Sequence, residues 1–116
     1  MRITQLLVLA AVAAMAFPAL AQDRAPDWLK TPTARDLAAV WPTAMLKKGE
    51  GGKAIIACTV TVLGTLRACR MESESPAGSG FGSAALALPS QFLMKPALKG
   101  GVAVEAPVRI PIGFPR

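Results

Sequence analysis

Between Lys53 and Glu74 the chain reads KAIIACTVTVLGTLRACRMESE, and apolar and polar positions alternate through its first half. Ile56, Cys58, Val60 and Val62 share one face at period two, with Ile55, Ala57, Thr59 and Thr61 on the other, the pattern of a β-strand. Leu63-Gly64 reads as a hairpin turn, and the return arm brings Cys69 and Met71 onto the first face. A two-residue loop sets Val62 against Thr65, Val60 against Arg67 and Cys58 against Cys69. A three-residue loop ending on Gly64 shifts that register by one. Leu66 joins the first face only if a bulge separates it from Cys69.

A second alternating stretch closes the chain, from Val102 to Phe114. Val108, Ile110, Ile112 and Phe114 alternate with Arg109, Pro111 and Gly113, which predicts a strand with one buried face. Pro107 and Pro111 have the same parity. Alternate residues of an antiparallel strand send their backbone groups toward the same neighbour. Residues 107, 109, 111 and 113 therefore share one lateral side, and two of those four lack an N–H. Such a side belongs at a sheet edge rather than in its centre. The prolines blunt aggregation there, while the free carbonyls leave room for an incoming strand that finds fewer donors than usual.

Helical signals fill the remainder. Thr33-x-x-Asp36 resembles a capping box and starts a helix at about Ala34, with Leu37, Val40 and Trp41 on its apolar face. Pro42 interrupts it, and a short second helix runs from Thr43 to Lys48, with lysines in its last turn and Gly49 as C-cap. Ahead of these, Trp28 and Leu29 precede Pro32 in a linker that tucks onto the body. Ser73 to Gly82 is a loop rich in glycine, serine and proline, whose glycines do not spell the phosphate-binding G-x-x-x-x-G-K-[ST]. A third helix is expected over roughly Phe81 to Leu88, with Phe81, Ala85 and Leu88 on one side and Pro89 ending it. Phe92 and Met94 continue as apolar contacts before Pro96.

The N-terminus adds a compartment. Arg2, an apolar run from Leu6 to Phe17 and Ala19-Leu20-Ala21 read as a secretory signal peptide over residues 1–21, with an uncleaved membrane anchor as the alternative. A linker at residues 22–32 and one small domain at residues 33–116 follow. In an oxidising compartment the only two cysteines, Cys58 and Cys69, are expected to form one disulfide, as against a reduced buried pair or intermolecular bridges. Closing so short a loop stabilises by about 2–3 kcal/mol on chain-entropy grounds.

Net charge is +6 at neutral pH, which suits anionic lipids or acidic partners. The cations are scattered, with only Lys47-Lys48 adjacent, so a solvated surface rather than a nucleic-acid patch is expected. There is no histidine, hence no ordinary general base near neutral pH. Asp36, Glu50, Glu72, Glu74 and Glu105 form no spaced pair tied to one site, and two thiols are too few for a zinc site. Neither catalytic residues nor a cofactor or metal is expected.

The order W-P-T-A at 41–44, a glycine before the first long strand, T-L-R-A-C-R-M-E-S-E-S-P, F-G-S-A-A-L, F-L-M-K-P and V-R-I-P-I-G-F resembles the C-terminal domain of the TonB energy-transducer family, over Trp28 to Phe114. Trp41-Pro42 stands for the family's opening tyrosine-proline, and Phe92 to Pro96 for its aromatic-proline element. The paired cysteines resemble a subgroup of short TonB-like proteins. The resemblance implies an α+β fold, with two or three short helices on one face of a three-stranded antiparallel sheet. It implies a periplasmic location and partner binding through the last strand, at Val108, Arg109, Ile110, Pro111, Ile112, Gly113 and Phe114. The partner class is an envelope protein such as a TonB-dependent receptor or a transducer, and an exposed edge also permits a strand-swapped homodimer.

The chain departs from full-length members, which carry a histidine-containing anchor and a long proline-rich spacer. The expectation is therefore a free binding module associated with TonB-dependent outer-membrane transport. An anchored transducer subunit and a small secreted structural or inhibitory protein are the alternatives. Mass measurement on the protein from its native host tests the first step: loss of residues 1–21 is expected, and an intact N-terminus would establish the anchor.

Overall fold

The computed structural model describes residues 22–116. The expected signal peptide at residues 1–21 lies outside them. In chain order the elements are β1 (Asp27–Lys30), α1 (Ala34–Val40), α2 (Thr43–Lys48), β2 (Gly52–Val60) and β3 (Leu66–Ser75). They are followed by α3 (Phe81–Leu86), a 3₁₀ turn at Pro89–Gln91, β4 (Leu93–Lys95), β5 (Ala97–Lys99), β6 (Val102–Val104) and β7 (Ala106–Phe114). The chain is a mixed α+β protein. Its main sheet is antiparallel and three-stranded in the order β3-β2-β7, and two small sheets pair β1 with β4 and β5 with β6.

The β2–β3 hairpin differs from the simplest expectation at its turn. Thr61 N–H donates to Thr65 O and Gly64 N–H to Thr61 O, so Val62-Leu63-Gly64 form a three-residue loop. Val60 therefore faces Leu66 rather than Arg67. Two bulges on β3 then move the register. The first lies opposite Cys58: Thr59 pairs with Arg67 and Ala57 with Arg70, leaving Ala68 and Cys69 to share one partner. Ala68 adopts φ 53°, the left-handed conformation of a bulged residue. The second inserts Glu72 between the pairs Ile56–Met71 and Ile55–Ser73.

These bulges resolve a conflict written into the sequence. Strict alternation would put Leu66 and Cys69 on opposite faces. With Ala68 looped out, Leu66 and Cys69 both pack against the core. Cys58 and Cys69 are bridged by a disulfide, with Cα atoms 4.1 Å apart.

The core sits on one face of the sheet. Ala54, Ile56 and Cys58 of β2 and Ile110, Ile112 and Phe114 of β7 point into it and meet Met45, Phe81, Ala84, Ala85, Leu88 and Phe92. Leu37, Val40 and Trp41 close it from the side of α1. Thr33 caps α1 through the reciprocal box with Asp36, and Gly49 ends α2 in the left-handed conformation. Three aromatic rings tie the helices to the end of β7. Phe81 and Phe114 have centroids 4.7 Å apart, and Trp41 stands edge-on to both at 5.8 and 5.4 Å. Each such pair adds about 0.5–1.5 kcal/mol beyond area burial.

Four boundaries shift from the expected ones. β3 runs on to Ser75, into the stretch expected as a loop from Ser73. α3 ends at Leu86, although Leu88 is buried as expected. The stretch read as a linker carries β1, whose Trp28 and Asp27 pair with Met94 and Lys95, and Arg24 bridges Leu98. The last element breaks at Glu105, because Val102–Val104 turn back on Ala97–Lys99 through Gly100-Gly101. Both glycines have positive φ, as a two-residue hairpin loop demands.

Gly64 docks the hairpin tip on the body. It has φ 87°, its carbonyl accepts from Met94 N–H at 2.9 Å, and a Cβ there would lie 1.9 Å from Met94 O. At Gly100 (φ 59°) a Cβ would meet nothing within 4 Å. Both alanine substitutions carry a left-handed penalty, but only Gly64→Ala also drives a carbonyl away. In urea unfolding, Gly64→Ala is expected to cost about 1–3 kcal/mol more than Gly100→Ala; equal costs would contradict the docking.

Candidate functional site: the open edge of the main sheet

Hydrogen-bond parity decides what β7 presents to solvent. The Thr61–Thr65 bond shows that odd residues of β2 bond toward β3. Even residues of β2 therefore bond toward β7, through Gly52–Phe114, Ala54–Ile112, Ile56–Ile110, Cys58–Val108 and Val60–Ala106. Pro107 and Pro111 stand opposite Thr59 and Ile55, in the rows that bond away from β2. Their missing N–H groups thus cost the ladder nothing. β7 is an edge strand whose outward lateral side carries carbonyls at 107, 109, 111 and 113, and N–H groups only at Arg109 and Gly113.

The seven residues assigned to partner binding fall into two sets. Val108, Ile110, Ile112 and Phe114 turn their side chains into the core. Arg109, Pro111 and Gly113 are exposed. Only the second set turns its backbone groups outward, and within it Arg109 and Pro111 also offer side chains.

Beside this edge runs a groove of roughly 300 Å³. Its far wall is Trp28, Thr31, Pro32, Leu37 and Phe92, none of which the sequence reading assigned to the site. The Trp28 indole leans on Phe92 at 5.5 Å. A tryptophan in a stretch that reads as linker was the available signal. What it lacked was the pairing of β1 with β4, a contact far apart in sequence.

The opposite face of the sheet carries two ion pairs that cross β2. Arg67 on β3 reaches Glu105, at the β6–β7 junction, with contacts of 2.7 and 3.3 Å. Glu72, the residue looped out by the second bulge, accepts from Arg109 of β7. The two pairs run in opposite senses and strap β3 to the β7 side over the small Ala57 and Thr59. Glu74 faces the other way, where its carboxylate accepts Gly82 N–H at 2.8 Å in the first turn of α3.

The hydrogen bond from Arg67 chiefly holds the Glu105 carboxyl below its ordinary value, against an opposing desolvation and with the arginine's charge adding. The same hydrogen bond raises Arg67. Asp36 is lowered chiefly by the backbone N–H of Thr33. Among the described residues, no group of three or more His, Cys, Asp or Glu stands ready to hold a metal ion. Among them too, no helix is long and apolar enough to cross a membrane. Compared with protein-family models and with curated protein sequences, the chain matches none.

The Glu105 shift has a defined pH consequence. A carboxyl lowered in the folded state contributes stability that is fully present above its unfolded value and is lost as pH falls through the folded one. Thermal unfolding between about pH 6 and pH 3 should therefore show a shallower acid limb for Glu105→Gln than for the parent. Parallel limbs would mean that the Arg67–Glu105 strap is not formed in solution.

Proposed function

We propose that this protein is a periplasmic, TonB-like binding module that engages an extended segment of an envelope protein by strand addition to the outward side of β7. The observation that carries the reading is the parity of β7: its prolines point their missing donors outward, so the edge stays open while the ladder to β2 is whole. The order of motifs over Trp28 to Phe114, the α+β architecture and the cysteine-paired hairpin support the TonB-like assignment. The partners this implies are a TonB-dependent receptor or a transducer. No catalytic step belongs to the proposal.

The incoming strand would meet two donors four residues apart, Arg109 N–H and Gly113 N–H, with carbonyls between them. Side chains on one of its faces would enter the groove under Trp28 and Phe92. The same prolines favour one competing reading, an edge blunted against self-association rather than shaped for a guest.

Gly113→Pro separates the two. A Cβ at position 113 meets nothing within 4 Å, and the Gly113 N–H faces away from β2, so the fold is expected to survive. Removing one of two outward donors should weaken a bound receptor-derived peptide by about 3–10-fold, the worth of one hydrogen bond. Amide shift mapping of the parent with that peptide should centre on Arg109 to Gly113. Shifts centred elsewhere, or an unaltered affinity in Gly113→Pro, would overturn strand addition at this edge.

A further inference from the structure

The hairpin tip and β4 expose apolar surface that strand addition at β7 does not use. Leu63 is 80% exposed and Val62 47%. The docked Gly64 brings them beside Leu93, itself 37% exposed, whose Cδ1 would lie 3.6 Å from a Cβ on Gly64. β1 lies against β4 and adds Leu29 at 57%, whereas Trp28, paired with the buried Met94, turns to the β7 groove and is not part of this surface. Four of the nine exposed large hydrophobic side chains among the described residues, Leu29, Val62, Leu63 and Leu93, thus gather where the hairpin tip, β4 and β1 adjoin. Apolar surface gathered in this way marks an interaction site.

Charge decides what covers it. Lys30 pairs with Leu93 in the β1–β4 ladder, and Lys95 lies two residues further on the same exposed face of β4, against one carboxylate, Asp27. A two-fold contact between copies would set this cationic rim against itself. An anionic bilayer surface accepts both parts, the leucines below the headgroups and the lysines among them. We infer that the Val62–Leu63 tip, with Leu29 and Leu93, forms a peripheral membrane-docking surface for anionic lipid. This surface is independent of the β7 edge and holds whether or not strand addition occurs there.

The test uses the exported, processed protein and two vesicle preparations, one of phosphatidylcholine alone and one containing phosphatidylglycerol. Co-sedimentation is expected with the anionic vesicles only, and to weaken as salt rises from about 50 to 300 mM. In Leu63→Trp, the indole placed at the 80% exposed tip should add an emission that shifts to the blue on binding anionic vesicles and that the parent lacks. Leu63→Glu, at a site outside the core, should lower binding about tenfold or more. Lys30→Gln and Lys95→Gln should each lower it about fivefold. Unaltered circular dichroism in these variants would show that the fold is intact. No binding to anionic vesicles, equal binding to neutral ones, or full binding by Leu63→Glu would each overturn the assignment. So would a concentration-dependent dimer that Leu63→Glu abolishes in the absence of lipid binding, since a second copy would then be the occupant.

Discussion

The architecture depends on which way the backbone groups of β2 point. Its odd residues bond to β3 and its even residues to β7. That choice makes β2 the central strand and lets Pro107 and Pro111 sit in β7 without leaving an acceptor on β2 unmet. It also puts Ile56 and Cys58 opposite Ile110 and Val108 in the hydrogen-bonded rows, with their side chains on the inner face, which builds the floor of the core. Slipping β7 by one residue would turn the prolines toward β2 and the isoleucines toward solvent, two losses at once. The register is therefore set by donors and by burial in the same direction.

β3 needs more help. Its sequence does not alternate cleanly, and the strand reaches a consistent inner face only by looping out Ala68 and Glu72. The disulfide lies at the first of these places, where the pairing is interrupted, and holds Cys69 opposite Cys58. The second bulge sends Glu72 across the outer face to Arg109 and turns Glu74 inward to the start of α3. A strand that is irregular by itself thus becomes the element that connects the sheet to both of its surfaces.

Much of this was legible in the residues because the signals were local. The capping box at Thr33, the left-handed end of α2 at Gly49, the cysteine pair and the parity of the two prolines each lie within a few residues of their consequence. The bulge between Leu66 and Cys69 could be posed as a condition from the misplaced leucine alone, but the loop length that accompanies it could not. A two-residue and a three-residue turn differ by the Gly64–Met94 contact, which joins distant parts of the chain. β1 was missed for the same reason. Nothing in Asp27–Lys30 announces a strand until β4 is beside it. The Gly100-Gly101 hairpin is a different case: its turn signal was present, and the long apolar pattern to Phe114 masked it. At the candidate site, the edge itself was readable from proline spacing, whereas the groove wall, built from β1, α1 and Phe92, was not.

The amides of β7 alternate between the ladder and open water. Native-state hydrogen exchange measured residue by residue reads that alternation directly. Val108, Ile110, Ile112 and Phe114 should be strongly protected, and Arg109 and Gly113, flanked by them, should exchange at nearly the rate of an exposed chain. Protection of Arg109 and Gly113 equal to that of their neighbours would show that the outward side is already occupied, and would contradict the account.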